Sequence, residues 1–189
     1  AQTFSSSRHS IGVAVLAGEG TAMERDFDYA SAVYAEDLSS PEEIGLSAGE
    51  KAVARLNPRK ADSSEVPVIY DWRISNGIVS HLASAINGSS VARGTTFLKD
   101  RLEKRIFPDS VIVVDDPLRR RGLKSKPFDV EGVATARRNI IDSGVLTTWI
   151  LDLRSARQLK MTTTGHASRG TSSPPSPSAT NLYLQAGAV

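Results

Sequence analysis

Three histidines, His9, His81 and His166, are the side chains best suited to hold a metal, and there is no cysteine to join them. Catalytic zinc usually takes three protein ligands and keeps one position open for water or substrate. No two of these histidines stand three, four or five residues apart, so no helix presents a pair of them on one face. A site would need all three to converge from distant segments, and unrelated polar histidines are the simpler reading. Gly18-Glu19-Gly20 lacks the third glycine and the strand-turn-helix setting of a dinucleotide site, and reads as a turn.

Other polar clusters carry weaker signals. Asp115 and Asp116 are adjacent ahead of Pro117, where strand geometry points neighbours to opposite faces, so turn capping suits both better than acid–base catalysis. Asp129 and Glu131 share a face if extended, one capping a turn while the other pairs with Arg137 or Arg138. The run Arg119-Arg120-Arg121-Gly122-Leu123-Lys124-Ser125-Lys126 places five cations in eight residues. Without interleaved aromatics, and flanked by those four acids, it reads as a solvated loop or one docking an acidic partner, and nucleic acid is disfavoured. Thr164-Gly165-His166-Ala167-Ser168-Arg169-Gly170 is the best candidate for a ligand-facing loop. Its glycines allow close backbone approach, and His166 and Arg169 could bind a peptide carbonyl or carboxylate.

The elements that position these groups follow from patterning. Ile11, Val13 and Val15 alternate with smaller residues over 10–17, as in a half-buried strand, and 21–34 can return as a longer one. Ser40-Pro41-Glu42-Glu43 starts a helix with a capping box, its stripe being Ile44, Ala48, Ala52 and Leu56, ended by Asn57-Pro58. A strand is expected at 66–70. A helix is expected from Ser75, buried along Ile78, Leu82 and Ile86. Further strands are expected at 110–115 and 145–151, and a short helix at 155–161. Residues 162–180 are almost entirely Thr, Ser, Gly, Pro and Ala, so they must run over other structure or stay mobile.

With 189 residues, 40% hydrophobic, 23% charged and a net charge of +2, the chain is large enough for a core without disulfides or metal, and its charge implies no polyanion partner. No apolar run nears the roughly 20 residues needed to span a bilayer. Residues 1–4 have neither the basic nor the apolar region of a signal peptide.

Taken in order, segments 23–29, 92–98, 113–117, Pro127-Phe128-Asp129-Val130-Glu131-Gly132, 155–159, Thr164-Gly165-His166-Ala167 and 181–184 resemble the TldD/PmbA family, and within it the PmbA branch, also called TldE. The TldD branch carries an H-E-x-x-x-H metal motif on the helix matched here by His81 to Ile86. His81 coincides with the first histidine, while Leu82 and Ile86 replace the glutamate and the second histidine.

The resemblance implies an α+β fold of antiparallel strands with two main helices, a fragment of the TldD/PmbA metallopeptidase-like fold. Residues 1–161 would be the central part and 162–189 a segment leading toward a further C-terminal domain, the chain being a middle segment of a longer protein. It implies a cytoplasmic complex in which a TldD-like subunit holds zinc and cuts peptides or unfolded proteins. This chain would hold no cofactor and no catalytic residue, and would complete the substrate chamber. His81, Gly165, His166 and Arg169 are the substrate-cleft candidates. Two other readings stay open: a metallopeptidase in its own right, and a gyrase- or nucleic-acid-associated binding protein.

Overall fold

The computed structural model describes residues 3–187, so the first two residues of the chain's start lie outside the described residues. Its contacts divide the chain into two units, Ala1–Val68 and Ile69–Val189. The change in composition at Thr162 falls inside the second unit, and 162–187 pack as part of it.

In the first unit, β1 (His9–Ala17) and β2 (Glu24–Ala32) form an antiparallel hairpin, with one face of α1 (Pro41–Ala54) packed on it. Residues 20–22 form a 3-10 turn rather than extending β2, because Gly20 takes a left-handed φ of 58°. The capping box at Ser40 forms as its sequence predicts: the Ser40 hydroxyl accepts from the Glu43 N–H, and the Glu43 carboxylate accepts from the Ser40 N–H. Ile44, Ala48 and Ala52 are buried on the helix face that meets the hairpin.

Alternation along β2 sends Asp26 and Asp28 toward α1, while Phe27 and Tyr29 stack on the other face. Lys51 Nζ donates to Asp28 at 2.6 Å and Ser47 Oγ at 2.5 Å. Gly45-Leu46-Ser47-Ala48-Gly49 has the spacing of a hydrolase nucleophile elbow, but it lies mid-helix with its serine committed to Asp28, so it is no elbow.

The second unit is built on a four-stranded antiparallel sheet in the order β5-β4-β3-β8: β3 is Val113–Asp115, β4 Arg138–Asp142, β5 Val145–Leu146 and β8 Leu182–Leu184. Helices α2 (Trp72–Ala85), α3 (Gly88–Ala92) and α4 (Leu153–Leu159) belong to the same unit, as does the small ribbon of β6 (Ala167–Ser168) and β7 (Ser176–Pro177). The core gathers Ile86, Val113, Ile140, Ile141, Leu146 and Trp149 with their neighbours.

Several expected elements differ. No strand forms at 66–70: the segment is irregular and exposed, Pro67 has no N–H to give a ladder, and among the described residues no strand pairs with it. Helix α2 begins at Trp72, three residues early, because the Asp71 carboxylate caps it by accepting from the Arg73 N–H. Its expected buried stripe holds only at the C-terminal end: Ile86 is buried, Leu82 half-buried, and Ile78 is 54% exposed. The run at 145–151 forms a strand only at Val145–Leu146, after which Ile150 makes a single parallel bridge to Asn87. By composition, residues 162–180 stay mobile unless they run over other structure. They are held against the second unit, and they lead into β8 beside β3.

Asp28 supplies a pH test of the first unit. Hydrogen bonds from Lys51 and then Ser47 outweigh the cost of burial and hold its pKa at about 2. A depressed carboxylate contributes stability that is full above the ordinary range near 4 and is lost as pH falls through about 2. Asp28→Asn is therefore expected to flatten the fall of the thermal midpoint between about pH 4 and pH 2, followed by circular dichroism. An unchanged slope would count against the Lys51 contact.

Candidate functional site

The polar centre of the second unit is a buried knot around Asp115. As the last residue of β3, one of the sheet's two inner strands, Asp115 is fully buried. His166 Nε2–H donates to its Oδ2 at 2.9 Å, and the Thr180 hydroxyl donates to the same oxygen at 2.6 Å. The Thr180 backbone N–H donates to Oδ1 at 2.8 Å. His166 Nδ1 lies 2.8 Å from the Thr164 hydroxyl oxygen, which also accepts from the Leu151 N–H. Burial alone would raise the Asp115 pKa, but the hydrogen bond and charge of His166 and the two bonds from Thr180 outweigh it and leave the carboxyl below its ordinary value.

A second carboxylate fixes the neighbouring loop. Asp129 accepts from the N–H groups of Glu131 and Val133 through Oδ1 and of Ala167 through Oδ2. Lys126 Nζ donates to the Ala167 carbonyl at 2.9 Å. Desolvation lowers the Lys126 pKa, partly offset by the charges of Asp129 and Asp115. Between these anchors Gly165 has φ +72°, and a Cβ there would lie 2.9 Å from the Ala134 carbonyl oxygen, so both conformation and space demand glycine.

The expected site residues therefore separate. His166 is 1% exposed with both ring nitrogens committed, and Gly165 is buried, so neither faces an open cleft in this chain. Arg169 is exposed. His81, exposed on α2, lines a cavity of about 560 Å³ together with Ile78, Leu82, Phe97, Ile106 and Phe107. Of the acidic pair, only Asp116 caps a turn, accepting from the Leu118 N–H; Asp115 is the knot itself. Glu131 accepts from the Leu153 N–H at the start of α4, so the expected pairing with Arg137 or Arg138 is not its role.

Sequence reasoning missed the union of Asp115 with His166 and Thr180, and the two phenylalanines of the cavity. The only signal was that both halves of the knot fell in segments already singled out.

The fit to zinc is decided by the donors. Leu82 and Ile86 offer none beside His81, both nitrogens of His166 are used, and His9 is on β1 in the first unit. Among the described residues, no group of three or more His, Cys, Asp or Glu is placed to hold a metal. The residues present do not fit a catalytic zinc.

Comparison with known proteins sets this geometry in a family. Residues 63–189 match the PmbA/TldA metallopeptidase C-terminal domain, and residues 2–56 match the central domain. The chain belongs to the PmbA/TldD metallopeptidase family. It is 43% identical over 166 residues to "Metalloprotease PmbA" of Escherichia coli O157:H7, covering 88% of this chain and 37% of that protein. Against the Haemophilus influenzae PmbA homologue the identity is 40% over 166 residues, with the same coverage of 88% and 37%.

Among solved structures, a Bacteroides thetaiotaomicron protein described as a proposed modulator of DNA gyrase superposes with a TM-score of 0.83 at 28% identity, covering 95% of this chain and 39% of that one. TldE from Thermococcus kodakarensis shares the fold, with a TM-score of 0.82 at 22% identity, covering 96% and 41%. The chain thus spans well under half the length of the family members it matches. The α+β architecture expected from the family segments is the one observed, with α1 and α2 as its two main helices.

The knot predicts a contrast between two histidines. His166→Ala leaves the Asp115 carboxylate buried without its main donor and is expected to cost on the order of 3–5 kcal/mol. His81→Ala removes an exposed side chain and should stay within about 0.5 kcal/mol of wild type. Urea unfolding measures both, and equal losses would refute the assignment.

Proposed function

We propose that the full-length protein is a PmbA/TldE-like subunit of a cytoplasmic TldD/PmbA metallopeptidase complex, acting without a metal site of its own. The observation that carries this reading is the helix α2. His81 stands alone there, with half-buried Leu82 and fully buried Ile86 where the metal-binding branch needs a glutamate and a second histidine. Ile86 belongs to the core, so the position is spent on packing rather than chemistry. The same donor set argues against a metallopeptidase acting by itself.

The complex would cut peptides or unfolded proteins, with zinc on a TldD-like subunit. In this chain the apolar cavity beside His81 suits apolar peptide side chains. Exposed Arg169 can pair with a peptide carbonyl or carboxylate, while Gly165 and His166 hold the loop that carries it. Among the described residues, no helix is long and apolar enough to cross a membrane.

The test is to purify the full-length protein alone and with a TldD-like subunit, and to measure bound zinc, co-elution and cleavage of an unfolded peptide substrate. The expected result is co-elution, with zinc and cleavage only in the presence of the partner. Arg169→Ala should cut the rate by about tenfold, the loss of one charge-assisted contact, while co-elution persists. One tightly held zinc per isolated chain, lost in His81→Ala, would overturn the reading.

A further inference from the structure

In the sequence the acids flanking the basic run 119–126 count against nucleic acid and leave a solvated loop or one docking an acidic partner, and the structure shows where those acids are engaged. Asp115 is buried against His166 and Thr180, and Asp129 accepts three backbone N–H groups. Glu131 caps α4, and Asp116 accepts from the Leu118 N–H. The carboxylates are spent on internal bonds, while Arg119, Arg120 and Lys124 are exposed. Lys126 takes no part in that surface, because its ammonium turns inward to the Ala167 carbonyl.

The loop is also fixed in advance. Three turns follow one another, closed by N–H bonds from Arg119 to Asp116, Gly122 to Arg119 and Ser125 to Gly122. Asn181 pins them: its Nδ2 donates to the Asp116 carbonyl and the Ser125 hydroxyl, and its Oδ1 accepts from the Lys124 N–H. A Cβ at Gly122 would lie 2.7 Å from Asn181 Nδ2, so this packing requires glycine. The Arg119 guanidinium sits over the Tyr183 ring, 5.2 Å from its centre. A surface already ordered loses little conformational freedom when a partner docks.

We propose that residues 118–124 are a docking surface for an acidic, leucine-bearing peptide segment of another protein. Guanidinium groups match carboxylates with paired hydrogen bonds. Leu118 and Leu123, 59% and 45% exposed, lie among the cations and offer contact to apolar side chains that a phosphate backbone would not use. Surfaces for single-stranded nucleic acid present open aromatic rings for base stacking, and Tyr183 is covered by Arg119 instead. Charge and apolar character together select a carboxylate-rich peptide.

The experiment is fluorescence anisotropy on the full-length protein with three labelled probes: a synthetic peptide alternating Glu and Leu, its Gln–Leu counterpart, and an oligothymidylate. The acidic peptide is expected to bind best and to weaken as salt rises. Arg120→Glu/Lys124→Glu should weaken it at least about tenfold through like-charge repulsion. Both side chains are exposed, and circular dichroism checks the fold. Should the reversal disturb the fold, Arg120→Gln/Lys124→Gln gives the same reading with a smaller loss. Equal binding of the Gln–Leu peptide, wild-type affinity in the variants, or binding of the oligonucleotide alone would overturn the proposal.

Discussion

The second unit depends on the charge of Asp115 being matched inside the protein. A carboxylate at the end of an inner strand of a sheet cannot stay ionised there without donors. The donors come from a stretch that has almost no apolar side chains. His166 and Thr180 lie fourteen residues apart in sequence and meet at one carboxylate. Once that contact forms, the chain between them is closed on the sheet, and residues 182–184 arrive beside β3 as the edge strand. A segment that cannot build a core is thereby ordered by polar contacts with one that can. Thr164 and Asp129 extend the same device: the Thr164 hydroxyl accepts from the Leu151 N–H, and Asp129 accepts from the Ala167 N–H of the segment.

The sequence disclosed what local physics decides. Capping boxes, helical stripes and strand alternation depend on residues a few positions apart, and α1 forms with the cap its sequence dictates, ending at Ala54 just short of Leu56 and Asn57-Pro58. The union of Asp115 with His166 spans 51 residues and has no periodic signature, so Asp115 reads locally as a turn former and His166 as a ligand. The same limit explains 66–70. Its composition suits a strand, but a strand needs a partner strand, and whether one lies alongside is not a local property. Helix α2 fails in a related way. Its apolar stripe is present, yet only its C-terminal end, from Leu82 to Ile86, packs on the core, leaving Ile78 exposed where it lines the cavity.

The candidate site inherits this division. The family segments named four candidates without separating residues that hold the fold from residues that face outward. Gly165 and His166 hold; His81 and Arg169 face outward. Helix α2 has Ile86, a core residue, as its C-cap, and the buried polar contacts of this unit gather at the Asp115 knot. The basic loop is anchored to the same knot's surroundings through Asn181, the residue next to Thr180. One constraint thus positions the exposed arginines, the edge strand and the loop bearing Arg169.

The claim that polar contacts with Asp115 make residues 162–180 an integral part of the fold is tested most directly by amide hydrogen exchange. The N–H of Thr180 is bonded to Asp115, that of Ala167 to Asp129, and that of Ser178 to the His166 carbonyl. If the account holds, these amides exchange as slowly as that of Ile141 in β4, opening only with the whole unit. Exchange at the rate of an unstructured chain, with Ile141 still protected, would contradict it.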